Sequence, residues 1–326
     1  MPKINMVQAI NMALHQEMEK DDSVIVLGED VGVDGGVFRV TAGLIEKYGE
    51  ERVIDTPLAE SGIVGTSIGM ALYGLKPVCE TQFSGFSYLA FHQLESHAAR
   101  LRGRSAGRFH VPMVLRTPYG GGVRALEHHS ESREAYYAHT PGLKMVIPSS
   151  PRNARALLIS AIRDPDPVVF YEPKALYRAF REDVPEKEET MEIGRSQIVR
   201  EGADLTMVSY GASLHHTLEA AEQLKERDGI EAEVIDLLTI SPLDDALFTQ
   251  SARKTGRVVL VHEAPRSFGP AAELMARLIE KSFLYLEAPI RRVTGFDVVI
   301  PLYQREMAYL PGAARIARAA REVLNF

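Results

Sequence analysis

The chain has 326 residues, 45% of them hydrophobic and 25% charged, which is long enough for two domains with substantial cores. With 37 Lys and Arg against 44 Asp and Glu, its formal charge is −7, which argues against a nucleic-acid binder with a basic face. Its one cysteine, Cys79, excludes an internal disulfide and a multi-cysteine zinc site, and fits a reducing compartment.

The opening MPKINMVQAI has neither the apolar core of a secretory signal nor the Arg- and Ser-rich character of a transit peptide. No run of roughly 18 apolar residues follows, so a cytoplasmic protein is expected. Asn5 is placed to cap a helix reaching residue 20, with Ala9, Ile10, Ala13, Leu14 and Met18 on one face. A strand over 24–27 ends in Gly-Glu-Asp. Residues 59–73 read as a helix rich in small residues, 76–82 as a strand, 86–102 as a helix and 112–116 as a strand. A helix near 131–138, a strand at 144–147, a helix at 153–163 and a strand at 168–171 complete this half. Apolar runs that do not alternate with polar residues suggest strands buried on both faces of a parallel sheet. Strand and helix in turn give an α/β domain.

Residues 181–190, REDVPEKEET, are charged and poor in apolar side chains. They read as an exposed linker, giving domains over 1–180 and 193–326 with a linker at 181–192. The second half repeats the α/β pattern. Strands are predicted at 205–209, 233–237 and 258–262, and helices at 214–226, 243–254, 270–281 and 313–324. There is no 20–50-residue repeat.

Three places could carry chemistry. Glu60 lies in DTPLAESGIVGTSIGMALYG, at the start of a helix otherwise built of small and apolar residues. Loss of water there favours the neutral acid, which can donate a hydrogen bond to a ring nitrogen. The alternative is a first-turn Glu stabilised by the helix dipole. GEDVG puts Glu29 and Asp30 at the carboxyl end of a strand, the edge where open α/β sheets bind ligands, or else forms an acidic turn. TPYGGGVRALEHHSES combines a triple-glycine loop, Gly120 to Gly122, with His128 and His129. That pair could act as acid–base groups near neutral pH or be an ordinary surface pair. No GxGxxG, GxxxxGK[ST] or GxSxG motif is present, which argues against a Rossmann dehydrogenase, a P-loop enzyme and an α/β hydrolase.

The segments GEDVG, GGVFR, DTPLAESGIVG, QFSGF, EHHSES, PGLKMVIPSSP, ISAIRDPDPVVFYEP and KTGRVVLVHEAP occur in one order over nearly the whole chain. Together they resemble the beta subunit of the decarboxylating component of 2-oxo acid dehydrogenase complexes, of the pyruvate and branched-chain types. The resemblance implies an α/β fold with a thiamine-diphosphate-type pyrimidine domain followed by a transketolase C-terminal-like domain. It also implies an alpha-two beta-two heterotetramer. Alpha would hold the diphosphate and magnesium of thiamine diphosphate, and beta the aminopyrimidine. The GDG…NN motif that binds diphosphate and magnesium is absent from this sequence, in keeping with that division.

By this resemblance Glu60 hydrogen-bonds the aminopyrimidine and favours its imino form. Phe86 packs on the ring, with Gln82 and Leu58 beside it. Glu29 faces the cofactor and a tunnel that joins paired sites. Where some bacterial relatives carry a further tunnel acid, this chain has Leu89. His129 would orient substrate and meet the lipoyl group of the dihydrolipoyl acyltransferase. The run 161–166 matches a potassium loop, with Ala161, Ile162, Asp164, Asp166 and Met113 contributing mostly backbone carbonyls. The same run also suits a helix end entering an Asp-Pro turn. YEPKALYR, YAHTPG and HEAP lean toward the branched-chain type rather than the pyruvate type. Two rivals stand beside this reading: a single-chain transketolase-like synthase, and a non-catalytic scaffold bound to the acyltransferase core. The missing diphosphate motif opposes the first; the presence of Glu60, Phe86 and His129 opposes the second.

Overall fold

The structure, a computed structural model, describes residues 2–326. The chain packs as two units. One runs to Tyr119 and includes Tyr136–Ile193; the other comprises Gly120–Ala135 and Gly194–Phe326.

In the first unit a short strand β1 (Lys3–Ile4) precedes helix α1 (Met6–Lys20). Asn5 accepts from the Gln8 backbone while the Gln8 side chain accepts from the Asn5 backbone, a complete capping box. There follow β2 (Val24–Gly28), α2 (Leu44–Tyr48), β3 (Val53–Asp55), α3 (Glu60–Leu72) and β4 (Lys76–Glu80). Next come α4 (Tyr88–Gln93), α5 (Ala99–Arg104), β5 (Val114–Tyr119), α6 (Glu134–Ala138, whose first two residues are counted with the second unit), β6 (Lys144–Val146), α7 (Pro151–Arg163) and β7 (Val168–Pro173). The sheet runs β6-β7-β5-β4-β2-β3, all parallel. Val26 pairs with Val78, and Cys79 with Leu115, so the middle of the sheet is a continuous apolar layer. Every residue of β2 and β5 is buried, as expected of strands covered on both faces.

The helix expected over 86–102 is interrupted. Between α4 and α5 the residues Leu94–Ala98 form a π-helical turn, an inserted residue that a 3.6-residue pattern does not register.

The charged stretch after residue 180 is not a free linker. Strand β8 (Glu182–Asp183) pairs antiparallel with β1, and Val184 is fully buried. Arg155 donates to the carbonyls of Pro185, Glu186 and Lys187, while Arg163 pairs with Glu188 and Arg152 with Glu189. Its charges are thus taken up by basic residues of α7.

The second unit contains β9 (Gln197–Arg200), β10 (Leu205–Ser209), α8 (Gly211–Asp228), β11 (Ala232–Asp236), β12 (Thr239–Ser241), α9 (Asp245–Thr255) and β13 (Val258–Val261). It ends with α10 (Pro270–Ser282), β14 (Arg291–Val293), α11 (Glu306–Tyr309) and α12 (Ala313–Leu324). Its five-stranded sheet has the order β14-β13-β10-β11-β9, parallel except for β9 at the edge. Ile316, Ala317, Ala320 and Val323 of α12 pack with Met207, Val234 and Val259 into one core. Their spacing puts an apolar stripe on a single helix face. Among the described residues, no helix is long and apolar enough to cross a membrane.

Candidate active site

In the first sheet β2 lies between β3 and β4, so successive connections leave it in opposite directions. Ligands of open α/β sheets bind at the carboxyl edge of such a switch point. The residues at that edge are the acidic and polar ones singled out in the sequence. Glu29 and Asp30 follow β2, Glu60 opens α3 after β3, and Gln82 follows β4.

Glu29 is only 5% exposed, and its Oε1 has no hydrogen-bond partner. Burial first, then the charges of Glu60 and Asp30, push its carboxyl above the usual range, with a backbone hydrogen bond from Ala59 pulling the other way. Glu60 is 3% exposed, with Oε2 likewise unpartnered. The α3 N-cap, Ala59, supplies no side-chain cap, and Glu60 is the one acid in the first turn of the helix. Asp30 sits in the left-handed region at φ 58° and accepts a 2.8 Å hydrogen bond from Gln82 Nε2. That bond ties the loop after β2 to the loop after β4.

The second loop carries Phe86, half-buried and edge-on to Phe83 at 5.8 Å. Ser84 donates from its backbone to Pro118, and the Ser87 and Tyr137 hydroxyls meet at 2.5 Å, so the loop that presents Phe86 is anchored on both sides. Leu58 is 79% exposed on the connection into α3.

The triple-glycine loop and the histidines belong to the second unit. Gly120 has φ +82°, and a side chain there would collide with the Glu263 carboxylate. Gly121 donates to Glu263 at 3.2 Å and Gly122 to Glu306 at 2.5 Å. The glycines let two buried carboxylates reach the backbone, a use that long sequence separation hides. Glu134, also fully buried, accepts from the Tyr210 hydroxyl at 2.6 Å. His128 and His129 occupy a short 3-10 turn with ring centroids 4.4 Å apart, both partly exposed. His128 Nδ1 lies 3.6 Å from Glu127.

The run 161–166, which by resemblance would be a potassium loop, has its carboxylates engaged. Asp164 meets Lys144 at 2.6 Å and Asp166 meets Arg102 at 2.6 Å. The carbonyls of Met113 and Ala161 each accept one backbone hydrogen bond, which leaves each a second lone pair. Among the described residues, no group of three or more His, Cys, Asp or Glu side chains is arranged to hold a metal ion.

Sequence reading missed Asp55 at the end of β3. Its carboxylate accepts from Gly32 at 2.6 Å and from Val33 at 3.0 Å. Nothing in DTPLAESG distinguishes this aspartate from any strand-end acid.

Comparison with known proteins agrees with this architecture. The family "Transketolase, pyrimidine binding domain" matches residues 2–179, and "Transketolase, C-terminal domain" matches residues 194–316. The chain is 52% identical over 320 residues to the pyruvate dehydrogenase E1 component subunit beta of Acholeplasma laidlawii, covering 98% of each chain. It is 50% identical to that of Bacillus subtilis (strain 168), with 100% of both covered. A solved split-gene transketolase, described as an inactive beta4 tetramer, superposes with a TM-score of 0.80 over 99% of each chain at 23% identity, a likeness of fold. The chain therefore belongs to the pyruvate dehydrogenase E1 beta subunit family, built on the transketolase pyrimidine-binding and C-terminal domains.

Proposed function

We propose that this chain is the beta half of a thiamine-diphosphate-dependent 2-oxo acid dehydrogenase and that it acts on pyruvate, paired with an alpha subunit. The observation that carries the reading is the buried, unpartnered carboxyl oxygen of Glu60, set beside a second buried acid, Glu29, at the switch point of the sheet. Buried acids in that place, one of them (Glu29) with a raised carboxyl, mark functional sites. The relatives support pyruvate, since those reported above are named as pyruvate dehydrogenase subunits. They lend no support to the branched-chain lean of YEPKALYR.

The residues fit an aminopyrimidine ring. Glu60 Oε2 is a hydrogen-bonding atom with no partner inside the chain, and Phe86 is a half-buried ring on an anchored loop. Glu60 would hold the ring nitrogen and keep a proton there. Phe86 would pack on the ring face, with Leu58 at the rim, while Gln82 and Asp30 fix the two loops. When bound, the cofactor supplies the electron sink for loss of carbon dioxide. Glu29, its carboxyl raised by burial and then by the charge of Glu60, is placed beside Glu60 where it would pass a proton. His129 would orient substrate and meet the lipoyl group of the acyltransferase.

Alpha would hold the diphosphate and magnesium. Any potassium in the 161–166 loop would rest on the carbonyls of Met113, Ala161 and Ile162, because Lys144 and Arg102 already neutralise Asp164 and Asp166.

The test is 2-oxo acid decarboxylation with thiamine diphosphate and magnesium, by this chain alone and co-expressed with its alpha partner. Activity is expected only in the mixture, with pyruvate preferred over branched 2-oxo acids. Full activity from the chain alone refutes the half-site reading; preference for a branched acid refutes the substrate.

A further inference from the structure

We infer that Asp55 is a positioning residue that holds Glu29 against Glu60, an inference that rests on the proposed function. The two acids lie on different loops. Glu29 follows β2 and Glu60 opens α3, and the Ala59 amide hydrogen-bonds the Glu29 carboxyl directly. Asp55 adds a backbone tether between the same two loops. It is the last residue of β3, just before the connection that delivers Glu60, and its two carboxylate oxygens take the amides of Gly32 and Val33 in the loop that carries Glu29. The neighbouring Thr56 amide donates to the Gly28 carbonyl at 2.9 Å. Glu29 therefore sits between two tethers, one at Gly28 and one at Gly32 and Val33, both anchored on the end of the same strand.

The fit is close. A Cβ on Gly32 would lie 2.7 Å from Asp55 Oδ2, so the carboxylate rests directly against the loop backbone. The loop is closed on itself by Gly36 donating to the Asp30 carbonyl at 2.7 Å and Gly35 to that of Gly32 at 3.1 Å. These bonds turn the segment around without tying it to α3; the backbone ties to the β3–α3 connection come from Asp55 and Thr56, beside the Ala59 hydrogen bond to the Glu29 carboxyl. Gln82 holds the far side of Asp30 to a third loop. The influence of Glu60 on the Glu29 carboxyl depends on this spacing. Asp55 is itself exposed and accepts backbone hydrogen bonds, so it acts on the site through Glu29.

The experiment compares wild type, Asp55→Asn, Glu29→Gln and the double variant, each co-expressed with the alpha partner. Asparagine keeps the size of aspartate but loses the charge and one acceptor. Three quantities are read: amide exchange across 28–36 by mass spectrometry, the melting midpoint, and kcat with KM. In Asp55→Asn, exchange in this segment should rise about 10-fold while the melting midpoint stays within about 3 °C. Displacing Glu29 by a fraction of an ångström should lower kcat about 10-fold with KM little changed. The double variant should be no slower than Glu29→Gln alone, because both changes act at one point. Multiplied losses in the double variant, a KM effect in place of the kcat effect, or unchanged exchange in Asp55→Asn would each overturn the inference. If the wild-type assembly decarboxylates no 2-oxo acid, the functional reading falls, and exchange alone then judges the clamp.

Discussion

Arg116 offers the sharpest test of what holds the central strands of the first sheet together. The side chain lies in β5 at 1% exposure, between Glu80 on one neighbouring strand and Glu172 on the other. Its NH1 meets Glu80 at 2.8 Å, its Nε and NH2 meet the two oxygens of Glu172 at 2.7 and 3.0 Å, and the Tyr177 hydroxyl donates to Glu172 at 2.6 Å. Replacing Arg116 with Met fills much of the volume and leaves two buried carboxyls facing each other with no cation. Breaking a buried pair in this way costs about 3–5 kcal/mol. At roughly 2–4 °C per kcal/mol for a unit of this size, the midpoint should fall by about 6–20 °C. Differential scanning of the co-expressed assembly reads this directly.

The pH dependence has a definite sign. Burial already holds the Glu172 carboxyl above its ordinary value, with Arg116 pulling it down, so removing Arg116 raises it further. A carboxyl raised in the folded state binds more protons there than in the unfolded chain. Stability therefore falls as pH rises from the unfolded value toward the folded one. The deficit of Arg116→Met should be largest near pH 8 and shrink toward pH 5. Neutralising both partners as Glu80→Gln and Glu172→Gln in the same chain should recover at least half of the loss. A shift under about 2 °C at pH 8 would mean that the carboxyls reach water or other partners, and the triad would not be what holds these strands together.

Two further outcomes follow from burial. His262, at the end of β13, is fully buried, and desolvation lowers it to about 3. Its folded pKa lies below the unfolded one, so the stability it permits is present above about pH 6.5 and is lost as pH falls from there toward about 3. His262→Gln should flatten the acid limb of the stability curve by up to about 1.4 kcal/mol per pH unit; an unchanged slope between pH 6 and 4 would refute this. Cys79 is buried in β4, and its thiol is pushed up to about 12 by desolvation. Iodoacetamide at pH 8 should leave it unlabelled in the folded assembly and label it fully in denaturant, with the adduct counted by intact mass.

Much of the fold could be read from residue patterns, and the exceptions have physical causes. The capping box at Asn5 and the apolar stripe of α12 are local signals, so α1 and α12 end where sequence places them. The short strands β3 and β14 carry no periodicity of their own and exist because neighbouring strands pair with them. The charged stretch 181–190 looks like solvent-exposed chain because the basic residues of α7 that neutralise it lie far away in sequence. The site divides in the same way. Glu29 and Glu60 stand out because carboxyls among glycines and apolar residues are unusual. Asp55, Glu263 and Glu306 do not stand out, since each gains its role from backbone amides that only the fold brings to it.

Magnitudes decide between the two readings of Glu60. A first-turn glutamate gains typically 0.3–1 kcal/mol from the helix dipole, and about 2 at best. That gain needs no burial, and an exposed carboxyl would secure it with water on its free oxygen. Glu60 is instead 3% exposed with Oε2 unpartnered. Leaving a buried acceptor unsatisfied costs about 1–3 kcal/mol, and more for a charged group. The dipole therefore cancels the penalty at most, and a residue chosen for helix stability would do better one turn away on the surface. Elsewhere in the same unit, buried acids have partners: Glu17 has Arg163, Glu80 has Arg116, and Glu172 has both Arg116 and Tyr177. Glu60, by contrast, has no cation or hydroxyl on its buried Oε2 and lies beside Glu29, whose carboxyl is raised, at the sheet's switch point; this supports the proposal that a partner from outside the chain meets that oxygen.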